Sequence, residues 1–236
     1  MPLDENRLNQ FKNTKLVYDS MPQKKEFIIP TRNERGLRKY FSEHKLDKDV
    51  RIIPYVVRIG FNCSKALNLG VRSAKYPQII VTSPEVLPIT QVLAQFEEVL
   101  GTNVVGQVWD GDENGNKGKS LVSTHFRNNN PGMYFLAMFN KDDIEKVNGW
   151  DEEFMKGYAY EDKDFGERFR RAGIPFTVRD DIQALHQYHP RSETIPGGLA
   201  INRQRLIDNH GQGIIKCKNG LLKLKEPTFL SPNPHS

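Results

Sequence analysis

Short apolar runs alternate with segments of helical periodicity in the first part of the chain, and this alternation constrains the fold more than any other feature. Apolar, β-branched runs occupy residues 25–30 (KEFIIP), 50–57 (VRIIPYVV) and 78–86 (QIIVTSPEV). Between the first two runs, the segment GLRKYFSEHKL places Leu37 and Phe41 at helical spacing. Strands that alternate with helices predict βαβ units, a mostly parallel sheet and a ligand site at the carboxyl ends of the strands.

The rest of the chain continues this pattern with longer loops. TNVVGQVW predicts a strand, DGDENGNKGKS an exposed loop, and MYFLAMF a short buried strand. EDKDFGERFRRAG predicts an amphipathic helix that ends at Gly173, and PFTVRDDIQALHQYH predicts a final strand pair that carries two histidines. We therefore expect one α/β domain over residues 25–215, with a basic tail over 216–236. Residues 1–24 are expected to form a polar extension with at most a short helix.

Length and composition indicate one globular domain. The chain has 236 residues, and no window approaches the roughly 18 consecutive apolar residues of a membrane span. The first residues do not resemble a secretory signal, and Cys63 and Cys217 are too few for a disulfide scaffold, so we expect a cytoplasmic protein. The formal net charge of +5 is compatible with an anionic partner, either a nucleotide or a nucleic acid.

An acidic cluster at the start of the amphipathic helix is the first candidate for catalysis. Glu161, Asp162 and Asp164 follow the aromatic and glycine segment GYAY at residues 157–160. The acids are compatible with an ordinary first turn that the helix dipole favours. Two neighbouring carboxylates behind an aromatic surface on which an acceptor stacks also suit a general base and the residue that orients it. Both interpretations stay open at this point.

Three segments, in order, resemble one enzyme family. VNGWDEEFMKGYAYEDKDF resembles an acceptor-site motif in which Asn-Gly-Phe or Asn-Gly-Trp precedes an aromatic-glycine stretch and Glu-Asp-x-Asp. IIPTRNERGLRKYF resembles a first-strand motif that holds uracil and ribose, and FNCSKALNLGVRSA resembles Phe-Asn-Arg-Ala-Lys-Leu-Leu-Asn-Val-Gly-Phe. Over residues 25–190 the chain therefore resembles inverting GT-A-fold glycosyltransferases of the β-1,4-galactosyltransferase type and chondroitin-polymerase-like bacterial enzymes.

The resemblance implies a GT-A-like, Rossmann-related single domain that acts as a hexosyltransferase. It implies transfer of a sugar from a nucleotide diphosphate donor, a UDP-sugar, to an acceptor hydroxyl with inversion. Asp162 would be the general base, and Glu161 would orient the acceptor or the base. A saccharide is the expected acceptor, while a modified nucleic-acid base remains an alternative. No membrane partner is expected.

Donor-binding positions carry over unevenly. The residues expected to contact the donor lie in the first-strand motif, in the second motif, before the metal position and in the acceptor segment: Pro30, Thr31, Arg32, Asn33, Phe61, Lys65, Ser83 and Tyr158. Cys63 replaces an arginine of the family, and Tyr158 replaces a tryptophan that stacks on the sugar. Arg58 or Lys65 would compensate for the lost positive charge. Cys63 itself is interpreted as a packed small residue rather than a reactive thiol.

The metal site departs from the family pattern. Where the family carries Asp-x-Asp, this chain has Ser83-Pro84-Glu85. Glu85 and His186 are the expected ligands of Mn²⁺ or Mg²⁺, because carboxylate and imidazole suit such a cation. His189 is expected to face away, since residues i and i+3 of a strand point to opposite sides. The alternative for Ser83-Pro84-Glu85 is the N-terminal turn of a helix without a metal.

Two further alternatives concern this weakened motif. The acidic run at residues 110–112 is a second place for a cation, but the position of the bidentate glutamate in a calcium loop is Leu121, so we interpret the run as a solvated loop. The loss of Asp-x-Asp also leaves open a nucleotide-sugar- or glycan-binding protein of the same fold that has lost catalysis.

Overall fold

Helices and strands alternate along most of the chain. The computed structural model describes residues 1–3, 5–56, 62–121, 135–156, 159–190, 196–224 and 228–229. The α-helices are α1 Leu8–Ser20, α2 Glu34–Glu43, α3 Cys63–Ser73, α4 Val92–Glu97, α5 Lys141–Lys146, α6 Glu161–Arg171 and α7 Gly198–Gly211. The strands are β1 Phe27–Thr31, β2 Val50–Pro54, β3 Gln78–Thr82, β4 Val86–Pro88, β5 Val104–Gly111, β6 Lys117–Ser120, β7 Leu136–Asn140, β8 Thr177–His186, β9 Ile214–Lys216 and β10 Thr228–Phe229. Short 3₁₀ segments lie at Glu5–Arg7 and Glu152–Lys156.

The strands form a mixed α/β arrangement. Strands β1 and β2 pair in parallel, as the βαβ pattern predicts. The larger sheet has the order β3-β7-β5-β8-β4, with β6 paired to β5. Within it β5 and β8 are parallel, whereas the other pairings are antiparallel. The expectation of a mostly parallel sheet is therefore wrong for the larger sheet, because apolar runs reveal strands but not their direction. The β5–β6 hairpin, for example, has no crossover helix.

Strand β8 is one continuous element where the sequence predicts a strand pair. Its pairing with β5 shifts register after Gly106, which faces Arg179, so that Gln107 faces Gln183. The polar residues between Arg179 and Gln183 therefore form an irregularity within the strand rather than a turn.

An aromatic cluster fixes helix α6 against the larger sheet. Trp150 stacks on Phe165 with ring centroids 4.1 Å apart, and Phe139 of β7 meets Phe165 edge-on at 5.6 Å. Phe169, one turn further along α6, lies 4.8 Å from Phe165. All four side chains are fully buried. This aromatic packing fixes the position of α6 relative to β7 and Trp150, and with it the position of the acids in its first turn.

Helix α1 packs into the core. It is longer than the short helix expected within the N-terminal extension, and it buries Phe11 and Tyr18. Phe11 stacks on Phe41 of α2 with ring centroids 5.1 Å apart. The sequence conceals this face because Lys15 also lies on it, and Lys15 is buried through its ion pair with Asp19 at 2.6 Å.

The segment after β9 is tied to the chain ahead of the acidic cluster. The side-chain amide of Asn148 donates hydrogen bonds to the carbonyls of Cys217 and Leu222, at 2.8 and 2.9 Å. A Cβ atom at Gly220 would lie 1.8 Å from the carbonyl oxygen of Asn148, so only glycine permits this approach.

Both cysteines are free thiols. Among the described residues, none of the helices has the length and apolarity needed to cross a bilayer.

Candidate active site

Two buried carboxylates open helix α6. Glu161 and Asp162 are only 8% and 9% exposed. The preceding residues Ala159 and Tyr160 have φ values of 65° and 76°, in the left-handed region that non-glycine residues rarely adopt. Each such residue costs roughly 1 to 2 kcal/mol. An ordinary exposed first turn needs neither burial nor this backbone, so both features favour a functional arrangement.

Both carboxyl groups of this acid pair hold protons more tightly than exposed carboxyls do. Burial raises the pKa of Glu161, and the adjacent charge of Asp162 raises it further. Burial also raises the pKa of Asp162, against the opposing effects of backbone hydrogen bonding and the charge of Lys163. A carboxylate whose pKa is raised toward neutrality is a better proton acceptor than an exposed aspartate.

Asp164, the third acid of the cluster, has a structural role. Asp164 accepts a 2.7 Å hydrogen bond from Nε of Arg168, and both side chains are almost fully buried. Asp164 also accepts a 2.8 Å hydrogen bond from the side-chain amide of Asn209. Nη1 of Arg168 continues the network to the carbonyls of Val147 and Gly149, at 2.7 and 2.8 Å. Asp164 therefore holds a buried ion pair, which distinguishes it from Glu161 and Asp162.

A second cluster joins Glu85 to both histidines at the end of β8. One ligand atom from each of Glu85, His186 and His189 lies within 4.8 Å of the others. Oε1 of Glu85 is 3.7 Å from Nε2 of His186 and 3.9 Å from Nε2 of His189. Ligand bonds of about 2.0 to 2.2 Å leave neighbouring donors roughly 3 to 3.6 Å apart, so a small inward movement would fit a divalent cation.

His189 belongs to this cluster, contrary to the expectation from strand alternation. Strand β8 ends at His186, so the alternation of sides no longer governs His189. Nδ1 of His189 lies 2.8 Å from the carbonyl oxygen of Pro190, where it donates as N–H. Its Nε2 is buried and has no hydrogen-bond partner among the described residues. An imidazole held in this tautomer presents the lone pair that a metal requires.

Asp110, which the sequence analysis assigned to a solvated loop, lies beside the second cluster. The loop begins two residues later than predicted, because β5 continues to Gly111 and Asp110 pairs in register with His186. Its Oδ1 is 3.8 Å from Nδ1 of His186, on the far side of the ring from Glu85. Asp112 does lie in the loop, where it accepts backbone hydrogen bonds from Asn114 and Asn116. Extending the apolar run VVGQVW by one residue would have placed Asp110 in the strand.

The pKa of Cys63 is affected by both the acid pair and Glu85. Burial raises the pKa of its thiol well above the ordinary value, and the charges of Glu161, Asp162 and Glu85 raise it further. Both groups of carboxylates therefore act on one thiol. Burial by itself would raise the pKa of Glu85. Hydrogen bonding to His186 and the charges of His186 and His189 outweigh this effect, so the pKa of Glu85 is lowered.

The predicted donor residues at the end of β1 form a loop that side-chain hydrogen bonds hold in place. Pro30 and Thr31 are buried, and Arg32 is exposed. Oγ1 of Thr31 accepts a 3.1 Å hydrogen bond from the amide of Asn33. The side chain of Asn33 in turn caps α2 by accepting a 2.9 Å hydrogen bond from the amide of Gly36. Asn33 thus has a structural task beside any contact with a ligand.

The remaining predicted donor residues are only partly described. Nζ of Lys65 donates a 2.7 Å hydrogen bond to the carbonyl of Val56, just beyond β2. Ser83 begins the turn between β3 and β4, so Ser83-Pro84-Glu85 does not start a helix. Three predicted positions lie outside the described residues, namely Arg58, Phe61 and Tyr158.

Comparisons with known proteins agree with this fold. The family model for the N-terminal domain of galactosyltransferase matches residues 120–200. Mannosyltransferase PcManGT from Pyrobaculum calidifontis, in complex with GDP-Man and Mn²⁺, has a TM-score of 0.58 and 15% identity, covering 89% of this chain and 61% of its own. S. aureus TarS 1-349 in complex with UDP-GlcNAc has a TM-score of 0.68 and 8% identity, covering 87% of this chain and 63% of its own.

These matches confirm the expected fold class and leave part of each relative unmatched. A further S. aureus TarS structure has a TM-score of 0.65 and 8% identity, covering 88% of this chain and 38% of its own. The chain thus spans less than two thirds of the length of these solved structures. No curated protein matches its sequence significantly.

Proposed function

We propose that this chain, which has the GT-A glycosyltransferase fold, transfers a hexosyl group from a UDP-sugar to a saccharide hydroxyl with inversion. The observation that carries the proposal is the buried pair of carboxyl groups of Glu161 and Asp162, which two left-handed residues precede. The chain also offers a candidate cation site, formed by Glu85, His186 and His189. A proton acceptor for the attacking hydroxyl and positive charge for the departing diphosphate both favour direct transfer of a sugar.

Asp162 is the general base of this proposal. The acceptor hydroxyl attacks the anomeric carbon, its oxygen forms the new glycosidic bond, and its proton passes to Asp162. The bond between the anomeric carbon and the phosphate oxygen breaks, and UDP leaves with that electron pair. Attack opposite the leaving group inverts the configuration. Glu161, whose pKa is raised by burial and by Asp162, supplies a protonated carboxyl that orients the acceptor or the base.

Glu85, His186 and His189 would hold a divalent cation. The unpartnered Nε2 of His189 and the carboxylate of Glu85 fit such an ion. Two imidazoles beside one carboxylate favour Mn²⁺ over Mg²⁺, which prefers oxygen ligands. A cation bound there supplies positive charge to the departing diphosphate. The Mn²⁺ complex of PcManGT supports this assignment.

The donor nucleotide is proposed to bind at the ends of β1 and β2. These parallel strands end at the same edge, where the amide of Tyr55 donates a 3.0 Å hydrogen bond to the carbonyl of Thr31. Pro30, Thr31 and Arg32 on one strand end, and Lys65 beside the other, would contact the uridine and the diphosphate. Phe61, Ser83 and Tyr158 complete the proposed donor set. The GDP-Man and UDP-GlcNAc complexes of the two relatives support a nucleotide-sugar donor.

Donor hydrolysis tests this function without a known acceptor. The purified chain is incubated with Mn²⁺ and UDP-glucose, UDP-galactose, UDP-GlcNAc or GDP-mannose, and nucleotide release is measured. We expect release from at least one UDP-sugar and a loss of about 100-fold or more in Asp162→Asn, the usual scale for a general base. Calorimetry should show UDP affinity within about twofold of the wild type, because Asn retains the shape of Asp.

The matched control is Asp142→Asn. Asp142 is also an aspartate in the first turn of a helix, but it is exposed. It should retain full activity. Nucleotide-dependent thermal stabilisation without release from any donor would instead indicate a binding protein that has lost catalysis. Mass spectrometry of products formed with saccharide glycosides or with modified nucleic acid identifies the acceptor class, and its anomeric configuration tests inversion.

A further inference from the structure

Helix α7 turns amide side chains toward the protein interior. Its buried residues are Gly198, Asn202 and Asn209, whereas Leu199 and Ile207 are about half exposed. The two asparagines are seven residues apart, which places them two turns apart on one face. A helix that packed only for apolar burial would present the opposite face, so the amides have another task.

Asn202 bridges the chain immediately ahead of the acid pair. Its side-chain amide donates hydrogen bonds to the carbonyl of Phe154 at 3.2 Å and to the carbonyl of Ala159 at 3.0 Å. The side chain of Asn202 is fully buried. Ala159 is the first of the two left-handed residues, and its carbonyl lies two residues before Glu161. Without the amide, the carbonyls of Phe154 and Ala159 would both lose this donor.

Asn209 makes a comparable contact at a different place. Its amide donates to Oδ1 of Asp164 at 2.8 Å and lies 3.4 Å from Oδ2 of Asp151. It therefore supports the buried ion pair of Asp164 rather than the backbone ahead of α6. The same helix thus offers two buried amides with different partners.

We infer that Asn202 is a positioning residue for the acid pair, which holds Ala159 in the left-handed conformation from which Glu161 and Asp162 enter the site. The role follows from its partners, since the same amide binds the middle of the 3₁₀ segment, at Phe154, and the first residue of the strained pair, Ala159. A strained backbone that directs side chains into a site needs such a restraint. The inference rests on the proposed function, because it assigns Asn202 to the same reaction.

The test compares Asn202→Ala with Asn209→Ala, each of which removes one buried amide from α7. In Asn202→Ala we expect the kcat of Mn²⁺-dependent UDP-sugar hydrolysis to fall at least 10-fold, while the Kd for UDP stays within twofold. In Asn209→Ala we expect a lower Tm but a kcat within threefold of the wild type. Asn202→Ser, which keeps a small polar group, replaces Asn202→Ala if the latter is insoluble, and it should lose at least threefold in kcat.

Hydrogen exchange provides a readout that does not require activity. Amides of residues 159–163 should exchange at least 10-fold faster in Asn202→Ala than in the wild type, and by a smaller factor in Asn209→Ala. Unchanged exchange and kcat in Asn202→Ala would overturn the inference, as would equal losses in both variants. A wild-type protein that hydrolyses none of the donors would contradict the proposed function, while the exchange measurement would still decide the role of Asn202.

Discussion

The carboxylate of Glu85 lies against the imidazole of His186 because Val86 of β4 pairs with His186 of β8 in antiparallel register. Residues about one hundred positions apart in sequence therefore form one cluster through backbone pairing. The turn that begins at Ser83 delivers Glu85 to this place, and the end of β8 brings His189 to the same side. Glu85, the one acid at the position of the expected Asp-x-Asp, thus lies near Nε2 of both His186 and His189.

Glu85→Ala should weaken Mn²⁺ binding and donor hydrolysis together, because it removes the only carboxylate of the cluster that faces both histidines. We expect at least a 10-fold higher Mn²⁺ concentration for half-maximal activity, and a stronger response to Mn²⁺ than to Mg²⁺ in the wild type. Metal titrations of hydrolysis measure both. Glu97→Ala, at an exposed position of α4, is the control and should behave as wild type. Full turnover in excess chelator would remove the cation from the mechanism.

His189→Ala should reduce Mn²⁺ affinity about as much as His186→Ala does. Both imidazoles present Nε2 to the same carboxylate oxygen, at 3.9 and 3.7 Å. Electron paramagnetic resonance of added Mn²⁺ measures free and bound ion directly, independently of turnover. If His189→Ala bound Mn²⁺ like the wild type while His186→Ala did not, His189 would not be a ligand.

Asp110→Asn tests whether the carboxylate behind His186 orients that ring. Outer-shell partners of metal-binding histidines typically contribute about 10- to 100-fold in metal affinity or activity. We expect a loss at the lower end of this range, because Asp110 is partly exposed and 3.8 Å from Nδ1. Asp112→Asn, two residues further and within the loop, is the matched control for charge. Equal Mn²⁺ affinity in both variants would leave Asp110 without this role.

Glu161→Gln should change how stability depends on pH. The folded-state pKa of Glu161 is raised, chiefly by burial, so the folded chain binds a proton that the unfolded chain has released. The free energy of unfolding therefore falls as pH rises from the ordinary glutamate pKa through the raised folded pKa. Gln removes this titration, so its Tm should decline less over that interval. Thermal unfolding of both proteins at a series of pH values measures the difference, and parallel profiles would show that Glu161 ionises normally.

The positions of the first strands and of the acid pair could be predicted from the sequence, but the direction of the strands and the burial of α1 could not. Apolar runs placed β1, β2 and β3 within a few residues, and the motif around Asp162 identified the start of α6. Strand direction in the larger sheet was not predictable, because it depends on long-range pairing. The burial of Lys15 concealed the apolar face of α1 for a similar reason.

Within the site, errors arose where an element ended. Strand alternation excluded His189 because the sequence does not show that β8 stops at His186. A run of turn residues similarly removed Asp110 from β5, although the strand continues past it. Asn202 had no recognisable pattern at all, since its partners are backbone carbonyls distant in sequence. Element boundaries, rather than element types, limited the prediction of this site.

The raised pKa of the Cys63 thiol has a consequence for how the protein withstands oxidants. Peroxide and alkylating reagents attack the thiolate form of cysteine, and the thiol of Cys63 is kept protonated by burial and by the surrounding negative charges. Burial likewise raises the pKa of Cys217, to about 12. Both cysteines should therefore react with oxidants far more slowly than an exposed thiol of ordinary pKa would.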